Sequence, residues 1–178
     1  MKRRTFVRNT SLLAFSVGVF GNISWINGKA EGDTPTTTDI LGPFYRPGAP
    51  MRTNINPPDF KGTPLNLSGI IYKDDGKTPF KNCLIEVWQC DVNGVYDNFS
   101  DDYVYRGAAK TGDDGAYQFI TTHPIPYAIN DEKTKFRPAH IHMRIAGEAG
   151  DQDLITQIYF KGDSHIPEDS SSSSPLSV

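Results

Sequence analysis

The stretch Asn82-Cys-Leu-Ile-Glu-Val-Trp-Gln-Cys-Asp-Val-Asn-Gly94 joins a short apolar run to a tight-turn signal. Ile85, Val87 and Trp88 are residue types that favour β-strands, and they lie in a run of strand-like length. Asn93-Gly94 supplies the positive φ angles that a two-residue hairpin turn requires. The stretch therefore predicts a strand that ends in a sharp reversal, and the same pattern recurs along the chain.

Further short apolar runs are separated by turn signals such as Lys73-Asp-Asp-Gly76 and Gly112-Asp-Asp-Gly115. They cover residues 67–72, 103–108, 116–121, 139–145 and 154–160. After residue 30 no segment carries a long apolar period of 3.6 residues, which argues against helices. Number and spacing of the runs predict an all-β fold, an antiparallel β-sandwich with irregular loops.

Four segments are predicted from changes in composition. Residues 1–30 are basic and apolar, as in an export signal. Residues 31–65 are rich in Thr, Pro, Gly and Asn and predict an extended arm laid over the domain. Residues 66–163 hold the strands, and residues 164–178 form a serine-rich, low-complexity tail that we expect to be disordered.

The export prediction rests on Lys2-Arg-Arg-Thr-Phe-Val-Arg8, which has the twin-arginine pattern, and on the apolar residues 12–20 that follow. Gly28-Lys-Ala30 provides small residues near a cleavage point. We therefore expect the twin-arginine machinery to export the protein to the periplasm or beyond. An uncleaved membrane anchor and an ordinary basic amphipathic helix are the alternatives.

Charge and cysteine content exclude other classes. Residues 1–30 hold five basic residues and no acidic one, so the rest of the chain has 13 basic and 21 acidic residues, a formal net charge of −8. Such an acidic domain is not a nucleic-acid binder, because phosphate contacts need cationic side chains. Cys83 and Cys90 are seven strand residues apart, roughly 23 Å, which is too far for a disulfide. Both are expected to be buried thiols.

A pair of histidines in Arg137-Pro-Ala-His-Ile-His142 indicates a metal site. Residues at i and i+2 of a strand point to the same face, and imidazole binds iron, zinc or copper. The phenols of Tyr96 and Tyr127 would favour a hard ferric ion. Histidines in the core or on the surface, without a metal, are the alternative interpretation of the pair alone.

Several stretches together resemble the intradiol ring-cleavage dioxygenases, the group of protocatechuate 3,4-dioxygenase and catechol 1,2-dioxygenase. The resemblance runs from about residue 40 to 163. Its motifs are Leu41-Gly-Pro-Phe-Tyr-Arg-Pro-Gly-Ala-Pro50, Glu86-Val-Trp-Gln-Cys-Asp-Val-Asn-Gly-Val-Tyr96, Arg137-Pro-Ala-His-Ile-His142 and Thr156-Gln-Ile-Tyr-Phe160. In combination they are highly specific for that family.

The resemblance implies a non-haem Fe(III) centre. By position its ligands are Tyr96, Tyr127, His140 and His142, with Tyr127 as the ligand that a bound catechol displaces. Arg137 and Gln157 match the family's active-site arginine and glutamine, and Trp88 matches a tryptophan near the iron. Tyr45 is expected to help roof the substrate pocket.

The expected reaction inserts both atoms of O₂ between the two hydroxyl-bearing carbons of a catechol-type ring, giving a cis,cis-muconate-type diacid. Displaced Tyr127 would act as general base, and Arg137 would stabilise negative charge on the ring. The resemblance also favours a homo-oligomer. A non-catalytic β-sandwich that binds aromatics and a zinc or copper protein that uses only the histidines are the alternatives. The short sequence after Gly162-Asp163 leads us to expect an exposed sheet edge.

Overall fold

A computed structural model describes Thr36, residues 38–146 and residues 153–168 with their side chains. It describes residues 14–16, 23–26, 29–32 and 176–177 as backbone strands. The twin-arginine pattern and residues 169–175 of the serine-rich tail lie outside the described residues. Among the described residues, no helix is both long enough and apolar enough to cross a bilayer.

The described elements are strands and one short 3-10 helix, Ile166–Glu168. In chain order the strands are β1 (Ala14–Ser16), β2 (Ile23–Ile26), β3 (Lys29–Gly32), β4 (Pro64–Ile70), β5 (Leu84–Trp88), β6 (Arg106–Lys110), β7 (Ala116–Thr122), β8 (Tyr127–Ala128), β9 (Phe136–Arg137), β10 (His140–Ile145), β11 (Leu154–Tyr159) and β12 (Leu176–Ser177).

Two larger sheets form the sandwich. One has the strand order β12-β11-β10-β5-β6, and the other has the order β1-β4-β7. The central pairs are antiparallel, whereas β1 joins β4 and β12 joins β11 in parallel. Two small antiparallel ribbons, β2-β3 and β8-β9, complete the described topology. The prediction of an all-β sandwich built mainly from antiparallel strands is confirmed.

The core lies between the two sheets and follows strand alternation. Alternate residues of each strand contribute to one buried cluster, which includes Leu65, Leu67, Ile85, Val87, Tyr117, Phe119, Ile141, Met143, Ile145 and Ile158. Cys83 belongs to this cluster, and Cys90 belongs to a second one with Trp88 and Tyr96. Both thiols are free and buried, as predicted.

The remaining side chains of β5, β10 and β11 point to the outer face of the larger sheet. Pairing places His142 between Trp88 of β5 and Gln157 of β11, and Arg106 of β6 is opposite Trp88. His140 is opposite Tyr159 in the next row. This outer face, which we call the site face, carries the sequence motifs.

The sixth strand and the sheet edge differ from the predictions. A strand was expected from residue 103, but β6 begins at Arg106 because Tyr103 and Tyr105 have φ angles of 51° and 54°. Left-handed backbone of this kind interrupts an extended strand. The expected exposed edge is partly covered: the Asp39 amide of the arm donates to the Ile155 carbonyl at 2.8 Å, and β12 pairs with Ile158.

Candidate metal centre

His140 and His142 lie side by side on the site face, and both are fully buried. Their Nε2 atoms are 3.2 Å apart. Nδ1 of His140 lies 2.6 Å from the Pro138 carbonyl oxygen, which can only accept, so Nδ1 carries the proton. The lone pair of His140 Nε2 is therefore directed at its neighbours, as a metal ligand requires.

The two tyrosines reach this pair from loops. Tyr96 follows the turn held by Asp91, whose carboxylate accepts hydrogen bonds from the amides of Asn93 and Val95. The hydroxyl of Tyr96 lies 3.2 Å from His140 Nε2. Tyr127 of β8 has its ring centroid 5.7 Å from that of His140 and 5.8 Å from that of Tyr96. The structure therefore brings together all four residues predicted as ligands.

The electrostatics of the four side chains fit a bound cation. Burial raises the pKa of Tyr96 well above its ordinary value, and neighbouring Tyr127 adds to the effect. Burial, followed by the proximity of His140 and Arg137, holds the pKa of His142 well below its ordinary value. The imidazole of His142 is thus neutral at pH 7, and its Nδ1 has no hydrogen-bond partner. The lone pairs of the imidazoles converge, and a bound cation would lower the raised pKa of the Tyr96 phenol. Both features suit a hard trivalent metal ion.

Phenol oxygens are essential to this interpretation. Counting only His, Cys, Asp and Glu, the described part of the chain contains no group of three or more residues that could hold a metal. Two histidines alone would make a weak zinc or copper site, because structural zinc sites use four protein ligands and catalytic ones use three. The donor set of two phenols and two imidazoles fits ferric iron better.

A cavity of about 510 Å³ opens over the tyrosines. Its wall is formed by Pro43, Phe44, Gly94, Val95, Tyr96, Asn98, Tyr127, Ala128, Ile129 and Arg137. A volume of this size is typical of small-molecule sites. The half-buried ring of Tyr127 is the more accessible of the two phenols.

Arg137 lies in the cavity wall with 8% of its surface exposed. Its guanidinium donates to Gln157 Oε1 at 2.8 Å and to the Tyr159 hydroxyl at 3.0 Å. The Tyr159 hydroxyl in turn donates to Asp39 at 3.1 Å, and Gln157 Nε2 donates to the Ile40 carbonyl at 3.3 Å. A fixed cation thus lies in the same cavity wall as the two candidate tyrosine ligands, and it is oriented by two β11 side chains that also hold the arm.

Comparisons with known proteins decide the family. The family described as Dioxygenase matches residues 40–176. A chlorocatechol 1,2-dioxygenase of Rhodococcus opacus is 34% identical over 77% of this chain. The chain belongs to the intradiol ring-cleavage dioxygenase family. The resemblance noted in the sequence is confirmed.

Other members of the intradiol dioxygenase family agree. An intradiol ring-cleavage dioxygenase of Aspergillus niger is 30% identical over 79% of this chain. The crystal structure of 3-chlorocatechol 1,2-dioxygenase from Rhodococcus opacus 1CP superposes with a TM-score of 0.68 at 30% identity, over 76% of this chain and 61% of that one. The chain spans 61% of the length of the Rhodococcus relative and 50% of the Aspergillus one. The expected homo-oligomer stays a prediction.

Trp88 and Tyr45 lie next to the histidines and outside the described cavity wall. Trp88 stacks on the imidazole of His142, and Tyr45 packs against Trp88 with ring centroids 5.1 Å apart. Strand pairing explains the first contact, because Trp88 is the β5 neighbour of His142. Trp88 thus supports the imidazole of His142, and the expected contact of Trp88 and Tyr45 with substrate stays a prediction.

Sequence reasoning missed three contributors to the candidate site. Phe44 stacks on Tyr96 with centroids 4.4 Å apart, and a Cβ atom on Gly42 would come within 3.2 Å of His142 Cε1. Both belong to the quoted Leu41–Pro50 motif, which was the available signal. Buried Arg106 donates to the Asp97 carbonyl at 2.8 Å and to Asn98 Oδ1 at 3.2 Å. Nothing in the local sequence around Arg106 indicated that role.

Proposed function

We propose that this protein is a non-haem Fe(III) intradiol dioxygenase that cleaves a catechol-type ring between its two hydroxylated carbons and yields a cis,cis-muconate-type diacid. The observation that carries the proposal is the convergence of two phenols and two imidazoles, with both phenols and the buried Arg137 in the wall of a ligand-sized cavity. The names of the matched relatives support the same reaction class.

Tyr96, Tyr127, His140 and His142 would hold the iron. When bound, ferric iron would supply Lewis-acid activation of a catecholate toward O₂. Phenolate ligands favour the ferric over the ferrous state, since they are hard anionic donors. The hydrogen bond from His140 Nδ1 to the Pro138 carbonyl keeps Nε2 available, and Trp88 holds the ring plane of His142.

The remaining polar groups serve the substrate. Tyr127 is the accessible phenol in the cavity, so its oxygen is suited to accept a proton from a substrate hydroxyl. Arg137 stays protonated at all relevant pH values and would stabilise negative charge that develops on the ring. Gln157 accepts a hydrogen bond from Arg137 and so fixes its direction.

Colour and oxygen uptake test the proposal. Purified protein loaded with ferric iron should absorb visible light through tyrosinate-to-iron charge transfer, and it should consume one O₂ per catechol cleaved. Tyr96→Phe and Tyr127→Phe should each alter the visible band, whereas Tyr72→Phe, outside the site, should not. Colourless protein after iron loading would rule out the ferric centre. Coloured protein that binds catechols without consuming oxygen would instead identify a non-catalytic binding module.

We also propose that the protein is exported in folded form. Support comes from the twin-arginine pattern Lys2–Arg8 and the apolar residues 12–20. Cell fractionation of the full chain should find it outside the cytoplasm. Replacing Arg3 and Arg4 together by Lys should retain it inside, while replacing Lys29 by Arg serves as the control. Equal distribution of the double variant and the parent would contradict export by this route.

A further inference from the structure

The mouth of the cavity is lined by two exposed aliphatic side chains. Val95 and Ile129 both lie in the cavity wall, and 62% and 57% of their surfaces are exposed. Val95 directly precedes Tyr96, and Ile129 is two residues beyond Tyr127. Each of the two phenols thus has an exposed aliphatic residue one or two positions away in the chain, and we call this pair the apolar rim.

Local hydrogen bonds hold the rim in place. The Val95 amide donates to Asp91 Oδ1 at 2.9 Å, and the Asp91 amide donates to the Val95 carbonyl at 2.9 Å. The Ile129 amide donates to the Lys135 carbonyl at 3.0 Å, directly after the β8-β9 pairing of Ala128 with Phe136. Both side chains thus project from ordered turns. Ordered, exposed aliphatic groups beside a cavity are placed to contact a ligand that extends out of it.

The cavity wall is poor in charged side chains. Arg137 is the one charged residue among those that line the cavity, and it is engaged with Gln157 and Tyr159. Apart from the two tyrosines, Asn98 is the only neutral polar side chain of the wall; Pro43, Phe44 and Ala128 are apolar. Apart from Arg137, the cavity wall offers no cation to a carboxylate that loses water at the rim, whereas an alkyl group would lose only unfavourable hydration.

From these observations we infer that the substrate is a catechol with a neutral alkyl substituent that points away from the hydroxyl groups, and that Val95 and Ile129 determine this specificity by contacting the substituent. The inference rests on the proposed function, because the metal centre must hold the diol end of the ring. The rim would distinguish one catechol from another, which the metal centre cannot do because every catechol carries the same diol.

The test compares 4-ethylcatechol, catechol and protocatechuate as probes of the iron-loaded full chain. Each buried methylene contributes about fourfold in binding, so we expect kcat/KM for 4-ethylcatechol to exceed that for catechol about tenfold. Protocatechuate, with its carboxylate, should be the poorest of the three. Equal values for the ethyl and unsubstituted ring, or a preference for protocatechuate, would overturn the inference.

Variants locate the effect at the rim. Ile129→Ser and Val95→Ser should each lower the ratio of kcat/KM for 4-ethylcatechol to kcat/KM for catechol about fourfold. Met51→Ser provides the matched control, because Met51 is also 62% exposed and lies outside the cavity wall. Ile129→Lys should raise the relative value for protocatechuate about fivefold through charge attraction. If Met51→Ser changes this ratio as much as the two rim variants do, the rim does not determine the preference.

Calorimetric binding of the same three compounds separates this inference from the proposed function. If no catechol is turned over, the proposed reaction fails. The rim is then supported by tighter binding of 4-ethylcatechol that weakens in Ile129→Ser, and it is refuted by equal dissociation constants. Turnover of catechol without any ethyl preference supports the reaction and refutes the rim.

Discussion

The indole ring of Trp88 lies parallel to the imidazole of His142, with 4.8 Å between the ring centroids and an interplanar angle of 2°. Trp88 is therefore a wall that fixes the plane of a candidate ligand. Its Nε1 is buried and has no hydrogen-bond partner among the described residues, so the ring acts through its surface and not through its polar atom.

Replacing Trp88 by Phe should lower the free energy of unfolding only slightly. The substitution keeps an aromatic face against His142 and removes an unsatisfied N–H group, so we expect a loss of less than about 1.5 kcal/mol in unfolding free energy. Trp88→Ala should cost about 3–5 kcal/mol because it leaves a cavity. Urea unfolding and the visible band of the iron-loaded protein measure the two effects. Equal behaviour of the two variants would contradict a role for the ring face.

Gly94→Ala should displace Tyr127. At Gly94 the φ angle is 78°, and a Cβ atom would lie 2.7 Å from Tyr127 Cβ. Gly162 provides the control, because its φ is 93° but a Cβ there would meet nothing within 4 Å. Gly94→Ala and Gly162→Ala should each lower the free energy of unfolding by about 1 kcal/mol, because alanine is strained at a positive φ. Only Gly94→Ala should shift the visible band, and a shift in both variants would show that the contact with Tyr127 is not the cause.

Arg106→Met should loosen the loop that follows Tyr96. The guanidinium of Arg106 is buried and donates hydrogen bonds to the Asp97 carbonyl and to the Asn98 side chain. Loss of hydrogen bonds from a charged donor should cost about 2 kcal/mol in unfolding free energy. Arg52 also donates to backbone carbonyls, those of Arg106 and Asp102, so Arg52→Met is the matched control. The visible band should change in Arg106→Met and stay constant in the control.

Arg137→Met should reduce turnover far more than binding. Removal of a fixed charge-stabilising donor costs about 10²–10³-fold in kcat in well-studied enzymes. We expect a decrease of that order in kcat for catechol, with a smaller change in KM, measured by oxygen uptake. Arg46→Met, which removes a cation that bonds Ser100 outside the cavity wall, is the control. A change in KM alone would assign Arg137 to substrate binding.

Stability at acidic pH should depend on Asp75. Hydrogen bonds from Thr78 and Lys77 lower the pKa of this carboxyl from 3.8 to about 2. The ionised form thus stabilises the folded state fully above pH 3.8, and this contribution is lost as the pH falls through about 2. Asp75→Asn should flatten the pH dependence of unfolding in that window. Asp74→Asn, in the same exposed turn, is the control and should leave it unchanged.

Strand alternation and turn chemistry made much of this fold predictable. The spacing of His140 and His142 requires a shared face in any strand, and Asn93-Gly94 requires a reversal before Tyr96. Register was not predictable, because hydrogen bonds between distant strands decide which side chains are neighbours. For that reason the rows that pair His142 with Trp88 and Gln157 could not be foreseen. The stacking of Trp88 on His142 is a consequence of this register.

Left-handed backbone at Tyr103 and Tyr105 was equally hidden, because these residue types rarely adopt it. Local propensity favours a strand there, and tertiary contacts override it. Contacts of the arm were hidden for a related reason. The sequence showed that residues 31–65 lack a regular period, but not that Gly42 approaches His142 or that Phe44 covers Tyr96.

The arm also sets the order in which the molecule can be completed. Asp39 and Tyr159 are 120 positions apart and share a hydrogen bond, and Gln157 holds the Ile40 carbonyl. A nascent chain synthesised as far as His142 has every candidate ligand but lacks the strand that receives the arm. Contacts between such distant positions form late. We therefore expect the metal to bind only after ribosomal synthesis has passed residue 159.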